Sequence, residues 1–386
     1  MSALVTPELE AQAIAWRREL HANPELSFHE HETARFVEET LRALGQYELE
    51  RPTPTSVVAR LRGDRPGRVL ALRADMDALP IDEEADVPFR SRVPGVMHAC
   101  AHDGHTAMLL AAATILAERR SELAGEVRLV FQHAEELPPG GAQELVAAGV
   151  MDGVDLVVGA HLMTGYPAGQ VAAQPGPLMA AADSIAIEIR GRGGHAAYPH
   201  TTVDPVVVAA HAVTALQQVV AREVDPLDNA VVSVTRVHAG IADNVIPETV
   251  QLGGTVRTFR PETRAAVREA IERVLRGVTE AHGAGYDYTF TEGYAAVVND
   301  ADAAALVAEA ARREIGGEHV VEVAPIMGGE DFSAYLATVP GVFFFVGAQS
   351  VEAGPVPHHN PRFVIDESAL RTGIGVLART ALDALS

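Results

Sequence analysis

The chain has a single cysteine in 386 residues, Cys100, and it stands in VMHACAHDGHTAMLL (96–110) with His98, His102 and His105 within five positions of it. Asp75 and Asp77 precede this stretch; Glu135–Glu136, His161 and the pair His358–His359 follow it. Each alone has an ordinary explanation. A lone buried cysteine behaves as a small hydrophobe, a loop histidine is hydrogen-bonded structure, an acidic pair is solvated, and two histidines near a proline are loop polarity. Taken together they form a donor set. Thiolate, imidazole and carboxylate suit zinc or another divalent first-row metal. Cys-x-His at 100 and 102 is a short bidentate unit, and an ion that lowers a thiol's pKa gives the isolated Cys100 a purpose as a ligand. The doublet Glu135–Glu136 supplies the mechanism. One carboxylate holds metal while its neighbour, facing the other way, stays free as a general base. Two ions roughly 3.5–4 Å apart share a water and bring its pKa to about 7. The free glutamate takes the proton during attack on a carbonyl and returns it to the leaving amine. The chemistry expected is hydrolysis of an amide.

Such a set needs a scaffold that brings distant segments together. The apolar, β-branched runs RVLALRA (68–74), EVRLVFQ (126–132) and VDLVVGA (154–160) read as strands. Helical stretches separate them, the main one from about Asp103 to Glu118 and a shorter one, GAQELVAAGV, after Pro-Pro-Gly-Gly. Near-continuous apolar strands with helical crossovers predict an α/β fold, a mostly parallel sheet with helices on both faces. Polar residues follow the strands' C-terminal ends, DMDALP after the first, HAEE after the second and HL after the third. In open α/β sheets that edge is where sites form.

After PGPLMAAAD the pattern changes. From Asp183 to about Gly293 it reads strand (184–190), helix (204–222), strand (230–237), strand (249–259), helix (261–282) and strand (286–292), the ferredoxin-like β-α-β-β-α-β order. The chain then returns to a helix (301–315), the strand GVFFFVG (341–347), the loop QSVEAGPVPHHNPRF and a last helix. The expectation is a catalytic domain in two parts, 1–182 and 294–386, with an α+β domain inserted at 183–293.

Bulk properties narrow the partners. Lys+Arg 30 against Asp+Glu 52 gives a formal charge of −22, which repels nucleic acid and anionic membranes. Hydrophobic residues make up 48% and charged residues 21%, enough for a sizeable core in a chain that dissolves. The start, MSALVTPELEAQAIAWRREL, reads as an amphipathic helix without the signature of a secretory signal. Apolar runs such as MLLAAATILA fall short of the roughly 20 residues of a membrane span. One cysteine forms no intrachain disulfide. A cytoplasmic protein is expected.

The segments HANPELSFHEHETA, LRADMDALPI, MHACAHDGHTAML, FQHAEE, GRGGHAAYPH, AGIADNVIP, MGGEDFSAYL and HHNPRFVIDE resemble, in order, the aminoacylase and carboxypeptidase-type metallohydrolases. The branch most similar contains hippurate hydrolases, N-acyl-amino-acid amidohydrolases and auxin-conjugate hydrolases, and the match spans about His21 to Glu367. The resemblance implies two divalent ions per chain (zinc, manganese, nickel or cobalt) and an inserted lid domain that mediates a homodimer. It implies Cys100, His102, Glu136, His161 and His359 as ligands, His359 rather than His358 because the family's ligand stands two residues before the proline, here Pro361. Glu135 is implied as general base, and Asp77 as the residue that orients a metal-bound group. Asp75 occupies the position of a histidine ligand in other branches, for which Cys100 and His102 are recruited here, so both aspartates stand behind the ligands. His195 in the lid would stabilise the developing oxyanion, in related dimers from the partner subunit; the plain alternative is a loop histidine at a strand–helix turn. Asn244 and Arg257 would hold a substrate carboxylate, although Arg257 also reads as an ordinary charge on an exposed strand face. Glu330 would lie behind the metals, and His105 reads either as an ordinary helix residue or as one behind them. Two departures stand out. Ala101 replaces the usual glycine of CGHD, and His133 replaces the usual proline of QPAEE, where it tunes the base or packs. His21 matches a family position; His29 and His31 read as solvated.

The function implied is cleavage of N-acyl amino acids, N-acetyl, hippurate-like or indoleacetyl, to a carboxylic acid and a free amino acid. A metallocarboxypeptidase or dipeptidase on short peptides shares the chemistry. A metal-free thiol hydrolase would use Cys100 as nucleophile with His102 or His161 as base, leaving Glu135, Glu136 and His359 without work. A metal-dependent binding relic would be expected to have lost a ligand or the base, and none is missing.

Overall fold

The computed structural model describes residues 4–386. The chain divides into two compact units. The first runs to Leu178, resumes over Val298–Ala324 and closes with Asp331–Ser386; the second is Met179–Val297 with Pro325–Glu330.

In the first unit a seven-stranded sheet has the order Glu48–Glu50, Val57–Arg62, Ala124–Gln132, Arg65–Asp75, Leu156–Pro167, Gly341–Gln349, Val171–Ala172. The four central strands run parallel, and the strands outside them pair antiparallel. Burial explains the composition of the centre. Leu70 to Asp75 are buried without a break, as are Gly341 to Ala348, because both faces of the sheet are covered. Leu70, Leu72, Val127, Leu129, Val158 and Phe344 join the core under the helix His102–Glu118, which is itself buried along nearly its whole length. The helices Pro7–Ala22 and Ser368–Ala384 enclose it. Arg73, Gln132 and Phe343 meet Asp331, Phe332 and Tyr335, where the short helix Ser333–Leu336 begins.

The parallel centre is the arrangement expected from the apolar runs; the antiparallel flank Glu48–Arg62 was not expected. One boundary also differs in a way that bears on the site. The strand read as 154–160 continues to Pro167, paired in parallel with Gly341–Gln349, so His161 is a mid-strand residue opposite Phe345 rather than a residue past the strand's end.

The second unit holds a four-stranded antiparallel sheet, order Ala230–Ala239, Thr249–Thr258, Ala181–Arg190, Gly285–Tyr294. Strand Ala181–Arg190 alternates cleanly: Ile185, Ile187 and Ile189 are buried while Ser184, Ala186 and Arg190 are exposed. A period of two marks a sheet covered on one face only. The covering layer is Pro205–Gln218 and Pro261–Ala281, whose Val208, Ala212, Leu216, Val267, Ile271 and Leu275 form one core with those isoleucines.

Candidate metal centre

The site residues of the first unit arrive on five pieces of backbone. Asp75 ends the strand Arg65–Asp75 and Asp77 follows it; Glu135 and Glu136 follow Ala124–Gln132; His161 sits within Leu156–Pro167. Cys100 and His102 lie where the chain turns into the helix His102–Glu118. That turn is made by Ala101, left-handed at φ +67°, whose carbonyl accepts the N–H groups of Gly104 and His105. A residue with a Cβ costs roughly 1–2 kcal/mol there, which is the physical reason a glycine is the usual occupant. His359 is also left-handed, φ +63°, and its N–H donates to the carbonyl of Ala99 at 2.8 Å, tying the last loop to the Cys100 turn.

The side chains converge. Ligand atoms of Cys100, Glu136 and His359 lie within 4.8 Å of one another, as do those of His102, Glu135 and Glu136, and those of Cys100, His161 and His358. Cys100 Sγ is 3.5 Å from His161 Nε2, His359 Nε2 is 3.1 Å from a Glu136 oxygen, and His102 Nε2 is 4.0 Å from oxygens of both glutamates. Hydrogen bonds decide which ring nitrogens are free to bind. His102 donates from Nδ1 to the Asp77 carbonyl at 2.9 Å, and His161 from Nδ1 to the Leu162 carbonyl at 2.9 Å, so both keep Nε2 for the cluster. His105 is spent on both sides: Nδ1 donates to Asp75 at 2.6 Å and Nε2 accepts the Leu162 N–H at 2.8 Å. His358 donates from Nε2 to the Leu162 carbonyl at 2.9 Å.

The donor set passes a test for an ion. His102 Nε2 is buried and lacks a hydrogen-bond partner, and the buried Glu136 oxygen Oε1 faces it at 4.0 Å. Buried polar atoms seldom stay unsatisfied, and a lone pair and a carboxylate oxygen in one space are satisfied together by a cation. Imidazole, thiol and carboxylate are the donors of a divalent first-row site.

Asp77 is the organiser. It is fully buried, and its two oxygens accept the backbone N–H groups of Glu135 and Glu136, each at 3.0 Å, while Ser27 Oγ donates to it at 2.7 Å. Burial opposes its ionisation, but His102, the Glu136 N–H and Ser27 hold its pKa below the usual carboxylate value. Asp75 is likewise buried, and His102, Arg73 and His105 overcome burial to keep it charged. Arg73 donates to Asp75 at 2.7 Å and to Asp331 at 2.9 Å, both buried. Burial discourages charge on His102, yet Asp75 and Asp77 raise its pKa to about 10 in the absence of an ion. The Cys100 thiol is pushed up by burial and then by Glu136 and Glu135. Without a cation it is a protonated thiol, a poor nucleophile.

His133 donates or accepts at Nε2 with Glu144, 3.0 Å away on the helix Gly141–Ala147, and its ring meets the edge of Phe28. His29 and His31 are exposed. His21 is buried between Asp103 and Glu83. Missing from the sequence reading were Ser27, Glu30 and Arg73.

The remaining expected residues belong to the second unit. His195 pairs across a two-stranded ribbon with Val245, and the Ala196 N–H donates to the Asn244 carbonyl at 3.0 Å, so His195 and Asn244 share one exposed corner. His195 Nδ1 accepts the Ala197 N–H at 3.1 Å, which puts the ring proton on the outward Nε2. Arg257 is half-buried against the carbonyls of Val256 and Asp183 and the Thr255 hydroxyl; no carboxylate pairs with it among the described residues, and burial lowers its pKa. Glu330 closes the segment Pro325–Glu330.

A family model described as peptidase family M20/M25/M40 matches residues 71–383. An N-acyl-L-amino acid amidohydrolase of Geobacillus stearothermophilus is 56% identical over 292 residues, covering 76% of this chain and 79% of that protein. Thermostable carboxypeptidase 2 of Saccharolobus solfataricus is 41% identical over 380 residues, 97% of this chain and 95% of that one. A solved dinuclear metal-binding M20 peptidase of Bacillus subtilis superposes with a TM-score of 0.87 at 37% identity, over 98% of this chain and 99% of that chain.

Proposed function

The chain belongs to peptidase family M20/M25/M40, and from that premise we infer how it works as a metal-dependent amidohydrolase on N-acyl amino acids. It hydrolyses the amide bond to a carboxylic acid and a free amino acid, the substrate class named in its relative of 56% identity. The observation that carries the reading is the convergence of Cys100, His102, Glu136, His161 and His359 around a buried His102 Nε2 that has no hydrogen bond, with a second carboxylate, Glu135, beside them.

Cys100, His102, Glu136, His161 and His359 would hold two divalent ions. When bound, such ions polarise a carbonyl and make a water acidic near neutral pH. The rest falls to the chain's own residues. Glu135 takes the proton of the attacking water and gives it to the leaving nitrogen, two transfers that one positioned carboxylate performs in sequence. Asp77 fixes Glu135 and Glu136 by accepting their N–H groups at its carboxylate and His102 by accepting its Nδ1–H at its backbone carbonyl, so the base does not swing away. His195 donates from Nε2 to the oxygen that gains charge, a contribution of a few kcal/mol for a well-placed donor, about 3. Its exposure suits action on a second subunit, so a homodimer formed through the second unit would let the partner subunit's His195 complete the site. Arg257, half-buried with no ion-paired carboxylate among the described residues, grips the substrate's carboxylate in bidentate fashion, and Asn244, which lies with His195 at the other end of the strand Thr249–Thr258, would join it only from a partner subunit.

No helix among the described residues is long and apolar enough to cross a membrane, and a cytoplasmic location accords with that. The similarity to a carboxypeptidase over 97% of the chain favours one second reading, trimming of short peptides by the same chemistry.

The test is amine release from N-acetyl, N-benzoyl and indoleacetyl amino acids, with dipeptides alongside, by chelator-stripped protein with and without zinc, manganese, nickel or cobalt. Metal-restored release from acyl amino acids is expected. Release only from peptides would replace the reading with the second one, and release from folded, stripped protein would remove the metal requirement.

A further inference from the structure

Glu30 is fully buried, and it stands at the N-cap of the helix His31–Leu44 without capping it. Glu25 does that work instead, accepting the N–H groups of Glu32 at 3.2 Å and Thr33 at 2.8 Å. The Glu30 side chain turns away and accepts the N–H of Ala134 at 2.7 Å, 104 residues further along the chain. Ala134 is left-handed, φ +49°, a conformation that residues with a Cβ keep only when the surroundings hold it. The next two N–H groups, those of Glu135 and Glu136, go to the two oxygens of Asp77. Three consecutive N–H groups are therefore gripped by two buried carboxyl groups from different segments.

We propose that Glu30 is a positioning residue for amide hydrolysis: by accepting the Ala134 N–H it holds the left-handed turn that delivers Glu135 and Glu136 to the metal cluster. The cost of keeping it there argues for such a task. Burial and the neighbouring Asp77 push its pKa up to about 8, its second oxygen has no hydrogen-bond partner, and an apolar residue at a helix start would carry neither penalty. What an apolar residue cannot do is accept a buried N–H. Two further contacts of the same segment point the same way: Ser27 donates to Asp77, and the Ala78 N–H donates to the Glu25 carbonyl at 2.8 Å. The stretch from Glu25 to Glu30 braces the strand ends that carry the catalytic carboxylates. Glu30 completes that brace.

The inference rests on the amidohydrolase reading, and the experiment separates the two. Metal-loaded wild type, Glu30→Ala and Glu30→Gln are compared for kcat, KM, bound metal at saturating ion and melting temperature. Glu30→Ala is expected to lose about 10- to 100-fold in kcat, the range for residues that orient a metal site's groups, with KM within about threefold and metal content unchanged. Glu30→Gln keeps an amide oxygen for the Ala134 N–H and is expected to restore kcat to within about threefold of wild type. A Glu30→Ala protein that melts lower but turns over normally overturns the proposal, as does a Glu30→Gln protein as slow as Glu30→Ala, or a loss of activity explained by lost metal. If Glu30→Ala does not fold, Glu30→Asp, one methylene short of Ala134, is judged by the same kcat criterion. Wild type without amine release would instead refute the amidohydrolase reading itself.

Discussion

Asp77 and Asp75 belong to a network of buried hydrogen bonds. The Asp77 oxygens hold two backbone N–H groups and a serine hydroxyl, Asp75 is held by Arg73 and His105, and His105 is used at both nitrogens. The corner of the second unit that carries His195 and Asn244 is built otherwise. Both side chains are exposed, the ribbon beneath them is two residues long on each strand, and Ile241 and Val245 beside them lie open to solvent. The difference teaches where rigidity is needed. On the proposed reading the first region binds cations and moves a proton, tasks that call for immobile groups, and buried carboxylates and a buried guanidinium lock it. The proposed role of His195, a donor to developing charge, calls for reach and an unblocked proton, which a short exposed ribbon allows.

The contrast is broken or sharpened first at Glu135. Glu135→Gln keeps the N–H that Asp77 holds and removes only the base, so turnover is expected to fall by up to about 10⁴-fold with bound metal unchanged. Turnover within tenfold of wild type, measured as amine release, would reject the base assignment. Next in size is His195→Ala, expected to cost about 10²–10³-fold in kcat with neither metal content nor melting temperature altered, because the ring is exposed. A drop in metal content would erase the distinction between the two regions. Mixing His195→Ala with Glu135→Gln protein extends the test: recovery of activity in mixed dimers is expected if the histidine serves the partner subunit, and none would confine it to its own chain.

How much of this was legible in the sequence follows the same division. The central strands showed because burial on both faces forces unbroken apolar runs, and the donors showed because cysteine, histidine and paired glutamates are rare enough together to stand out. The strand through His161 was cut short because a polar residue in a parallel strand reads as its end, whereas here it stays paired while its ring turns to the cluster. The hairpin Glu48–Arg62 escaped notice because its strands are short and one is largely exposed. Glu30 and Arg73 were missed for a deeper reason. Glu30 acts on a backbone N–H 104 residues away, and Arg73 meets Asp331 across 258 residues. No local pattern encodes such a partner, since a backbone N–H has no residue type. The left-handed turn at Ala101 shows in the sequence only as a departure from the glycine of the resembled family.

The smallest effect expected lies behind the metal cluster, in a second buried ionic group that bears on folding. Asp103 accepts from Arg17 Nε and from His21 Nδ1, both at 2.8 Å; His21 also meets Glu83 at 3.1 Å, and Arg17 meets Glu367 at 3.0 Å. Burial opposes charge on both, but Arg17 and His21 hold Asp103 well below the usual carboxylate range, and Asp103 and Glu83 raise His21. A depressed carboxyl stabilises the fold above its unfolded value of about 4 and loses that contribution as pH falls below it. A raised histidine stabilises below its unfolded value of about 6.5 and loses that contribution as pH climbs toward its folded value. The group therefore contributes most between those limits. Asp103→Asn leaves Arg17 with Glu367 and His21 with Glu83, so its cost is expected below that of a bare buried charge, about 2 kcal/mol at pH 5.5. The loss should shrink as pH climbs above about 6.5, where the His21 share fades, and shrink again as pH falls below about 4, where the unfolded chain takes up a proton that folded Asp103 still refuses. Urea unfolding with chelator present throughout, followed by the fluorescence of Trp16, the one tryptophan and the neighbour of Arg17, reads this directly. A cost that does not vary with pH would mean that Asp103 acts by shape alone, and the stability of this region would then owe nothing to its charges.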